Sequence, residues 1–483
     1  MSKLNQPLWD HQKKAIELSH GKNQLALFFE VGTGKSRTAI DILRYKCAAN
    51  ERLLRTLILV PKIVISNWQK EIADYSKIHK FDVIPLIGTG LKRTATINKE
   101  GYKDNMQIPK IFITNYETLG MESTFKALME WGPEMIIADE CHRLKNPEGK
   151  RAKKCIELSD TARYKLALTG TPILNSAMDI FNIYRFLDNG ETFGTNFWKF
   201  RSIWFEDANS GWAGQPNYFP KYEPRPETYR ELHNMIYKKA VRAVKSECLD
   251  LPPLVRKEIF VEMNPEQQRL YKEMRDQYVA YIDDVLKTDT PRAVVANMAV
   301  VKALRLMQIV TGYAKTDEGE IYKIKDIPRL DALSELLEDL TPNHKVIVWS
   351  VFHENYTDIA EVCKKLKIGF VELHGKIEHK DRDKNLKAFR EDPKCRVIIA
   401  NQAAAGIGIN LIESDVSIYY SKNFSLEQDL QSEARNYRGG SERHTSVTRI
   451  DMVSPDTIDQ LISDALASKQ DISKKVLDWT KEL

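Results

Sequence analysis

Short apolar runs recur along this chain, each followed by a longer stretch whose apolar positions fall at helical spacing. In the first part the runs are Gln24–Phe29, Thr56–Val60, Lys110–Thr114, Met135–Asp139 and Lys165–Leu168. Most are continuous rather than alternating, as in strands buried on both faces of a parallel sheet. Between them, segments such as Ser36–Cys47 and Ile65–Tyr75 carry helical spacing. This alternation predicts an α/β fold, a parallel sheet covered by helices.

The pattern changes after Asn175. Up to about Leu251 the chain is rich in charged and aromatic residues, among them Phe193, Phe197, Trp198, Phe200, Trp204, Trp212 and Tyr218. A mostly helical insertion with loops is expected over about 176–250. Leu251-Pro252-Pro253 forms a rigid break suited to a lobe boundary. A second alternating series follows: Val255–Val261, Lys345–Ser350, Gly369–Leu373, Arg396–Ala400, Val416–Tyr420 and Val447–Met452. A helical stretch, Pro265–Val310, interrupts it inside an insertion of about 265–315. The expected organisation is an N-terminal lobe over 1–250, a C-terminal lobe over 251–470 and a tail over 471–483. No fixed-period repeat or low-complexity segment is visible.

Composition narrows the class without choosing a function. At 483 residues the chain is too long for one ordinary core, and 42% hydrophobic with 29% charged residues suits a globular protein. Lysine and arginine outnumber aspartate and glutamate by 72 to 67, a net +5 that permits nucleic acid without indicating it. No apolar run approaches a bilayer span, and Met1-Ser2-Lys3-Leu4-Asn5-Gln6 lacks a signal-peptide core. The expectation is a cytoplasmic chain, nucleoid-associated or in a host cytoplasm, with no membrane partner. Its six cysteines are scattered with no C-x-x-C pair, so neither structural zinc nor a disulfide frame is expected.

The chemistry lies where strands end. Gly32-Thr33-Gly34-Lys35-Ser36 sits between a strand and a helix, the context in which such a motif carries weight. Its glycines let backbone N–H groups close around phosphate while the helix directs its positive end there. Lys35 would neutralise the β and γ phosphates and Ser36 would ligate Mg²⁺; Arg37 follows in the same binding segment. The strict pattern has a glycine where this chain has Phe29. Met135-Ile136-Ile137-Ala138-Asp139-Glu140-Cys141-His142 supplies the rest. Asp139 would hold magnesium, directly or through water, and Glu140 would polarise the attacking water. His142 would couple this loop to the next, Leu168-Thr169-Gly170-Thr171-Pro172. Three polar loops in order on one sheet edge match the carboxyl-end rule for ligands of open parallel sheets.

With these motifs the chain resembles a superfamily-two helicase ATPase, and within that group the Swi/Snf-type DNA translocases, from about Leu8 to Ile462. Asp139-Glu140-Cys141-His142-Arg143-Leu144-Lys145-Asn146-Pro147 resembles the family's DEAH box with cysteine in place of alanine, and Leu168–Asn175 resembles its third motif. The resemblance implies two tandem RecA-like lobes, ATP with Mg²⁺, and an adenine-reading role for Gln12, after Trp9-Asp10-His11. Val60-Pro61-Lys62, with Trp68 and Glu71 downstream, resembles motif Ia, and Ile113-Thr114-Asn115-Tyr116-Glu117 resembles motif Ib. In the family these grip a DNA backbone, which would make Pro61, Lys62, Thr114, Asn115 and Tyr116 phosphate contacts.

The second-lobe motifs are assigned through the same resemblance. Gln431-Ser432-Glu433-Ala434-Arg435-Asn436-Tyr437-Arg438-Gly439-Gly440 resembles the sixth motif, with glycine at Gly440 where the family usually has glutamine. At i, i+3 spacing Arg435 and Arg438 are expected on one helix face. As arginine fingers they would contribute about 10³–10⁵ in rate, with Gln431 beside them at the nucleotide. Ala405-Gly406-Ile407-Gly408-Ile409-Asn410-Leu411 resembles the fifth motif, where Gly408 would lie against ATP. Ser350, His374, Gly375, Asn401 and Gln402 fall where the family touches DNA.

The function expected is an ATP-dependent translocase or helicase that couples hydrolysis between two lobes to movement along duplex or branched DNA, remodelling protein–DNA complexes or junctions. A strand-separating DNA or RNA helicase, a motor subunit of a nuclease complex, and a nucleic-acid-binding scaffold with a silent ATPase are the competing readings. A compact monomer of bacterial or phage type is expected, with protein partners left open.

Overall fold

The computed structural model describes residues 6–103, 106–170, 177–212, 220–286, 303–315, 320–403 and 409–467. The chain divides into two compact units, Met1–Leu249 and Asp250–Leu483.

The first unit is built on a seven-stranded parallel sheet. In chain order its strands are β1 (Gln24–Phe29), β2 (Thr56–Val60), β3 (Val83–Pro85), β4 (Ile111–Asn115), β5 (Met135–Asp139), β6 (Tyr164–Thr169) and β7 (Ala240–Ala243), and they lie side by side as β7-β1-β6-β5-β2-β4-β3. Side chains of successive strand residues point to opposite faces, so each strand feeds two cores. Leu25, Leu27 and Phe29 join Ile58, Val60 and Ile137 in one apolar cluster, while Ala26 and Phe28 join Leu57, Leu59 and Ile136 in the other. Three helices cover the first face: α1 (Asp10–His20), α2 (Lys35–Ala49) and α3 (Ile65–Tyr75), through residues such as Ala15, Leu43 and Trp68. Helices Glu122–Trp131, Lys150–Ser159 and Ile180–Asp188 cover the second.

The segment expected as a helical insertion is not separate from this core. Phe193, Phe200 and Trp204 are buried in the same cluster as the central strands, with Phe193 in edge-to-face contact with each of the other two. Phe205–Asp207 and Tyr222–Pro224 form a small antiparallel pair. The chain then returns as β7, parallel to β1 in the register Ala26↔Ala240 to Phe29↔Ala243. Helices do predominate here, but the segment closes the sheet edge next to the strand that carries the glycine-rich loop.

The second unit repeats the scheme with six parallel strands: β8 (Leu254–Phe260), β9 (Val346–Trp349), β10 (Gly369–Leu373), β11 (Cys395–Ala400), β12 (Val416–Tyr419) and β13 (Val447–Val453), in the order β8-β13-β12-β9-β11-β10. Val346, Val348, Ile399 and Ile418 face helices Pro328–Leu340 and His353–Lys365, and Ile347, Trp349 and Ile398 face helix His379–Glu391 through Phe389. Of the expected 265–315 insertion, Pro265–Leu286 and 303–310 are helical and pack with Ile458 and Ile462.

One buried cation organises the carboxyl edge of this second sheet. Arg329 is 2% exposed; it donates to the Tyr420 carbonyl at 2.8 Å and to Ser454 Oγ at 3.1 Å, and it pairs with Asp459. The next residue, Ser421, lies 3.0 Å from Ser350 Oγ at the end of β9, so the ion pair fixes the loops there. Removing one partner strands a buried charge, whereas removing both does not. Arg329→Met should therefore destabilise the second unit by about 3–5 kcal/mol, and adding Asp459→Leu should recover more than half of that loss. Urea unfolding with hydrogen exchange read across β9 checks both; equal loss in the single and double variants would contradict the stranded-charge account.

Candidate nucleotide-hydrolysis site

β1, β6 and β5 lie next to one another, in registers that pair Phe28 with Thr169 and Leu168 with Asp139. Their carboxyl ends, and the loops that follow them, therefore share one edge. From Phe29 the chain runs through Glu30-Val31-Gly32-Thr33-Gly34 into α2. Gly32 and Gly34 have φ of 95° and 83°, the left-handed region that glycine enters without penalty. Gly34 must also be bare: a Cβ there would lie 2.3 Å from Gln12 Nε2 and 3.2 Å from the Trp9 ring. Gln12 Nε2 donates to the Gly34 carbonyl at 3.2 Å, and His11 Nε2 lies 2.8 Å from the Thr33 carbonyl. α1 is thus strapped to the loop through carbonyls. The first-turn N–H groups of α2 have no partner within the helix and form its positive end.

Lys35 is 9% exposed. Its Nζ donates to the Phe29 carbonyl at 3.0 Å and stands 4.0 Å from Glu140 Oε1. Gly170 is close on another side, since a Cβ there would be 3.2 Å from Nζ. The departure at Phe29 is harmless to this arrangement, because its ring is buried in the core and its carbonyl addresses the lysine. Ser36 is half-buried at the start of α2, and Arg37 sets its guanidinium 2.7 Å from Asp41 and over the Tyr75 ring.

Asp139 ends β5 nearly sealed, its Oδ2 accepting from Trp68 Nε1 at 2.8 Å and its Oδ1 from the Glu140 N–H at 3.0 Å. Burial, then the neighbouring Glu140 carboxylate, pushes its pKa up to about 6. Glu140 has φ 50°, left-handed for a residue with a side chain, a strain of about 1–3 kcal/mol of the kind found at functional sites. The turn sets its Oε1 toward Lys35 and its Oε2 3.3 Å from His142 Nδ1. That nitrogen is also 3.1 Å from Thr169 Oγ1 at the end of β6. Cys141, in the alanine position, lies in the apolar core, where burial drives its thiol pKa well up and leaves it unreactive. Lys35, Asp139, Glu140, His142 and Thr169 are thus gathered at one place. Thr171–Asn175 of the third motif lie outside the described residues.

Trp68, named downstream of motif Ia but given no role at the nucleotide, belongs to this site. It is an apolar position of an amphipathic helix by its spacing, and nothing in sequence tells which acceptor a buried indole N–H will find.

The expected DNA-contact side chains divide. Lys62 is exposed after β2, with Pro61 half-buried beside it. Thr114, Asn115 and Tyr116 are buried instead of presented to solvent: Thr114 meets Thr118 Oγ1 at 2.7 Å, Asn115 accepts from Arg93 at 3.0 Å, and Tyr116 donates to the Asp139 carbonyl at 2.7 Å. In the second unit Ser350, His374 and Gln402 are likewise buried. Ser350 bonds Asn355 and Ser421, His374 stacks on Tyr356 and meets Glu372, and Gln402 accepts from the Asn423 N–H. Asn401 is half-buried and donates to Tyr356 Oη at 2.6 Å, whereas Gly375 is exposed. Burial of a polar group requires partners, and these side chains have found them inside their own lobes.

Arg435 and Arg438 do not share a helix face. The helix Leu426–Glu433 ends before them, its last turn tightened by a bond from the Arg435 N–H to the Ser432 carbonyl at 3.1 Å. The Arg435 carbonyl instead accepts from the Leu411 N–H at 2.9 Å, pulling the chain into a turn against the fifth-motif segment. Arg435 is buried with Nη1 3.4 Å from the Ile409 carbonyl, and Arg438 is half-buried. From β13, Arg449 clamps the helix through Asp429 at 2.8 Å and Glu433 at 3.1 Å, while Gln431 donates to Glu427 at 2.9 Å. Gly440 has φ 104°, and a Cβ would meet Ile412 Cδ1 at 2.8 Å, so a side chain here would be strained. Gly408 lies outside the described residues.

Comparison with known proteins places this geometry. Residues 11–311 match the SNF2-related domain, and residues 328–440 match the helicase conserved C-terminal domain. Among curated proteins the chain is 24% identical over 452 residues to the CHD3-type chromatin-remodeling factor PICKLE of Arabidopsis thaliana, covering 87% of this chain and 30% of that protein. It is 23% identical over 476 residues to the ISWI chromatin-remodeling complex ATPase ISW1 of Saccharomyces cerevisiae, covering 95% and 39%. The chain therefore spans well under half the length of these relatives. A solved Sulfolobus solfataricus SWI2/SNF2 ATPase core in complex with dsDNA is 22% identical, with a TM-score of 0.43 over 99% of this chain and 96% of that one. The chain belongs to the SNF2-related family and is an ATP-dependent, helicase-type ATPase of superfamily two.

Proposed function

We propose that this ATPase is a DNA translocase, which couples hydrolysis to movement along duplex or branched DNA and so remodels protein–DNA complexes or junctions. The observation that carries the reading is the line Lys35, Glu140, His142, Thr169 at one sheet edge, with Asp139 sealed beside it. Lys35 neutralises the phosphates. Glu140, aimed by its left-handed turn and held by His142, orients the attacking water and accepts its proton.

Magnesium fits this site on the chemistry of its donors. No group of three or more His, Cys, Asp or Glu side chains among the described residues could hold a metal alone. One carboxylate, one hydroxyl and substrate phosphates are the set this ion commonly takes, and Asp139 and Ser36 would provide the first two. Asp139 is also a carboxylate whose charge is poorly compensated, as its raised pKa records. When bound, the ion neutralises charge on the phosphates.

From the second lobe, Arg435 and Arg438 would bring positive charge to the transferring phosphoryl. Lys62, exposed at the end of β2, and the exposed turn at Gly375 are the leading candidates for backbone phosphate contacts. Such contacts carry no sequence information and weaken with salt, as a motor that must pass any sequence requires.

Lys35→Ala and Glu140→Gln should each lower DNA-stimulated ATP turnover by about 10²-fold or more, with duplex or branched DNA stimulating the parent more than single strands or RNA. Equal stimulation by RNA, or duplex unwinding without triplex displacement, would replace the translocase by a strand-separating helicase. Arg435→Ala and Arg438→Ala should each cut kcat by about 10³-fold or more while nucleotide affinity stays within about threefold; a variant that hydrolyses at the parental rate removes that residue from the mechanism.

Asp139 also ties stability to pH. Its folded pKa, about 6, lies above the ordinary value of 3.8, so the fold favours the neutral acid and its stabilising effect is lost as pH rises through about 6. Asp139→Asn should raise the Tm of the nucleotide-free protein by several degrees at pH 8. That gain should shrink as pH falls from 6 toward 4 and disappear below about pH 3, where the parent acid is neutral in both states. A gain independent of pH would refute the burial account.

A further inference from the structure

We propose that Trp68 is a positioning residue for Asp139, its indole N–H setting the carboxylate in the orientation that takes Mg²⁺. The inference rests on the reading in which Asp139 and Ser36 hold that ion, and adds what keeps the first of them in place. A carboxylate turns about two side-chain bonds, and fixing it in one orientation costs conformational entropy when the ion binds. A partner that fixes it beforehand removes that cost. Loss of such a partner typically weakens metal binding or activity roughly 10–100-fold.

Asp139 is gripped from both faces of the first sheet. Trp68, on α3, packs in the apolar cluster of one face, and its Nε1 donates to Asp139 Oδ2 at 2.8 Å. Tyr116, just after β4, packs in the cluster of the other face, and its hydroxyl donates to the Asp139 carbonyl at 2.7 Å. Both rings are sealed, Trp68 at 1% exposure and Tyr116 at 0%. The Glu140 N–H donates to Oδ1 at 3.0 Å. Tyr116 therefore fixes the backbone at the end of β5, while the bonds to the two oxygens fix the plane of the carboxylate. Neither ring has room to follow if that carboxylate turns.

The kind of donor matters as much as its place. An indole N–H donates, accepts nothing and carries no charge. A lysine or arginine in its position would neutralise the aspartate and compete with a metal cation. The indole instead occupies one lone pair of Oδ2 and leaves the other, with the negative charge, for the ion. A buried indole needs an acceptor of some kind, and any main-chain carbonyl would satisfy it without touching the site. Here the acceptor is the carboxylate assigned to the metal, which distinguishes Trp68 from a core tryptophan whose N–H is merely accommodated.

The test is equilibrium binding of ADP, with Mg²⁺ and with the metal chelated, to the parent, Trp68→Phe and Asp139→Asn. Phenylalanine keeps a buried ring and deletes the donor. Trp68→Phe should weaken ADP about tenfold when Mg²⁺ is present and leave metal-free ADP within about threefold of the parent. Half-maximal ATP turnover should need about tenfold more Mg²⁺. Parental Mg²⁺ dependence, or equal losses with and without metal, would overturn the proposal, the second outcome making the indole a brace for the fold alone. Should Trp68→Phe fail to fold, the Trp68 indole N–H resonance of the nitrogen-labelled parent carries the test. It should move when Mg²⁺ is added to the ADP complex, and a resonance indifferent to Mg²⁺ would overturn the proposal. Asp139→Asn separates this inference from the reading beneath it, since it should abolish the affinity that Mg²⁺ adds to ADP. If that added affinity survives, Asp139 does not hold the ion and the role of Trp68 falls with it; if Asp139→Asn loses it and Trp68→Phe does not, the role of Trp68 falls alone.

Discussion

Charges that water would ordinarily solvate are packed at the carboxyl edge of the first sheet, and the site depends on their mutual compensation. Lys35 is withdrawn to within reach of the Phe29 carbonyl and Glu140, Asp139 is sealed under Trp68, and Glu140 bridges to His142. Desolvating an isolated charge is prohibitive, and a buried pair is tolerated only when geometry supplies further hydrogen bonds. The sheet meets that demand by placing β6 between β1 and β5, so that lysine and carboxylates emerge one strand apart. Both apolar clusters serve the same end, since they fix the strand ends from which these groups project.

Legibility in the sequence followed burial. Gln24–Phe29, Thr56–Val60 and Met135–Asp139 are readable to the residue because both faces are covered and the runs are bounded by polar loops. β3 and β7 escaped notice. Val83-Ile84-Pro85 is three residues long and ends in proline, and Ala240-Val241-Arg242-Ala243 carries an exposed arginine as an edge strand can. β7 also hid in an aromatic stretch whose packing into the core depends on contacts with distant strands. Composition alone made that stretch look like an insertion.

Residue type was a poorer guide to orientation than to location. Thr114, Asn115 and Tyr116 do lie at the end of a strand, on the same edge as the phosphate loop, yet all three turn inward. Hydroxyls and amides suit a phosphate and suit an interior network equally well, and only tertiary packing decides between them. The arginines show the same limit. An i, i+3 spacing puts two side chains on one face only while the helix lasts, and this helix stops at Glu433. Gly439-Gly440 just beyond was the available sign of a chain leaving helical geometry, and the positive φ of Gly440 is one that favours glycine.

The same compensation constrains how a nucleotide can enter. Lys35 is not an idle cation awaiting phosphate; it already has a carbonyl and a carboxylate as partners. Under the proposed function a triphosphate would draw the ammonium from Glu140, and a carboxylate left in so enclosed a place needs another donor. His142 Nδ1, 3.3 Å from Glu140 Oε2 and 3.1 Å from Thr169 Oγ1 on the next strand, would be that donor in the tautomer that carries its proton there. Under the proposed function, phosphate binding and the readiness of Glu140 to act on water would be one event, because the ligand that claims the lysine would also free the carboxylate. His142 would then hold Glu140 in the interval between the two partners, from a position two residues along the same turn.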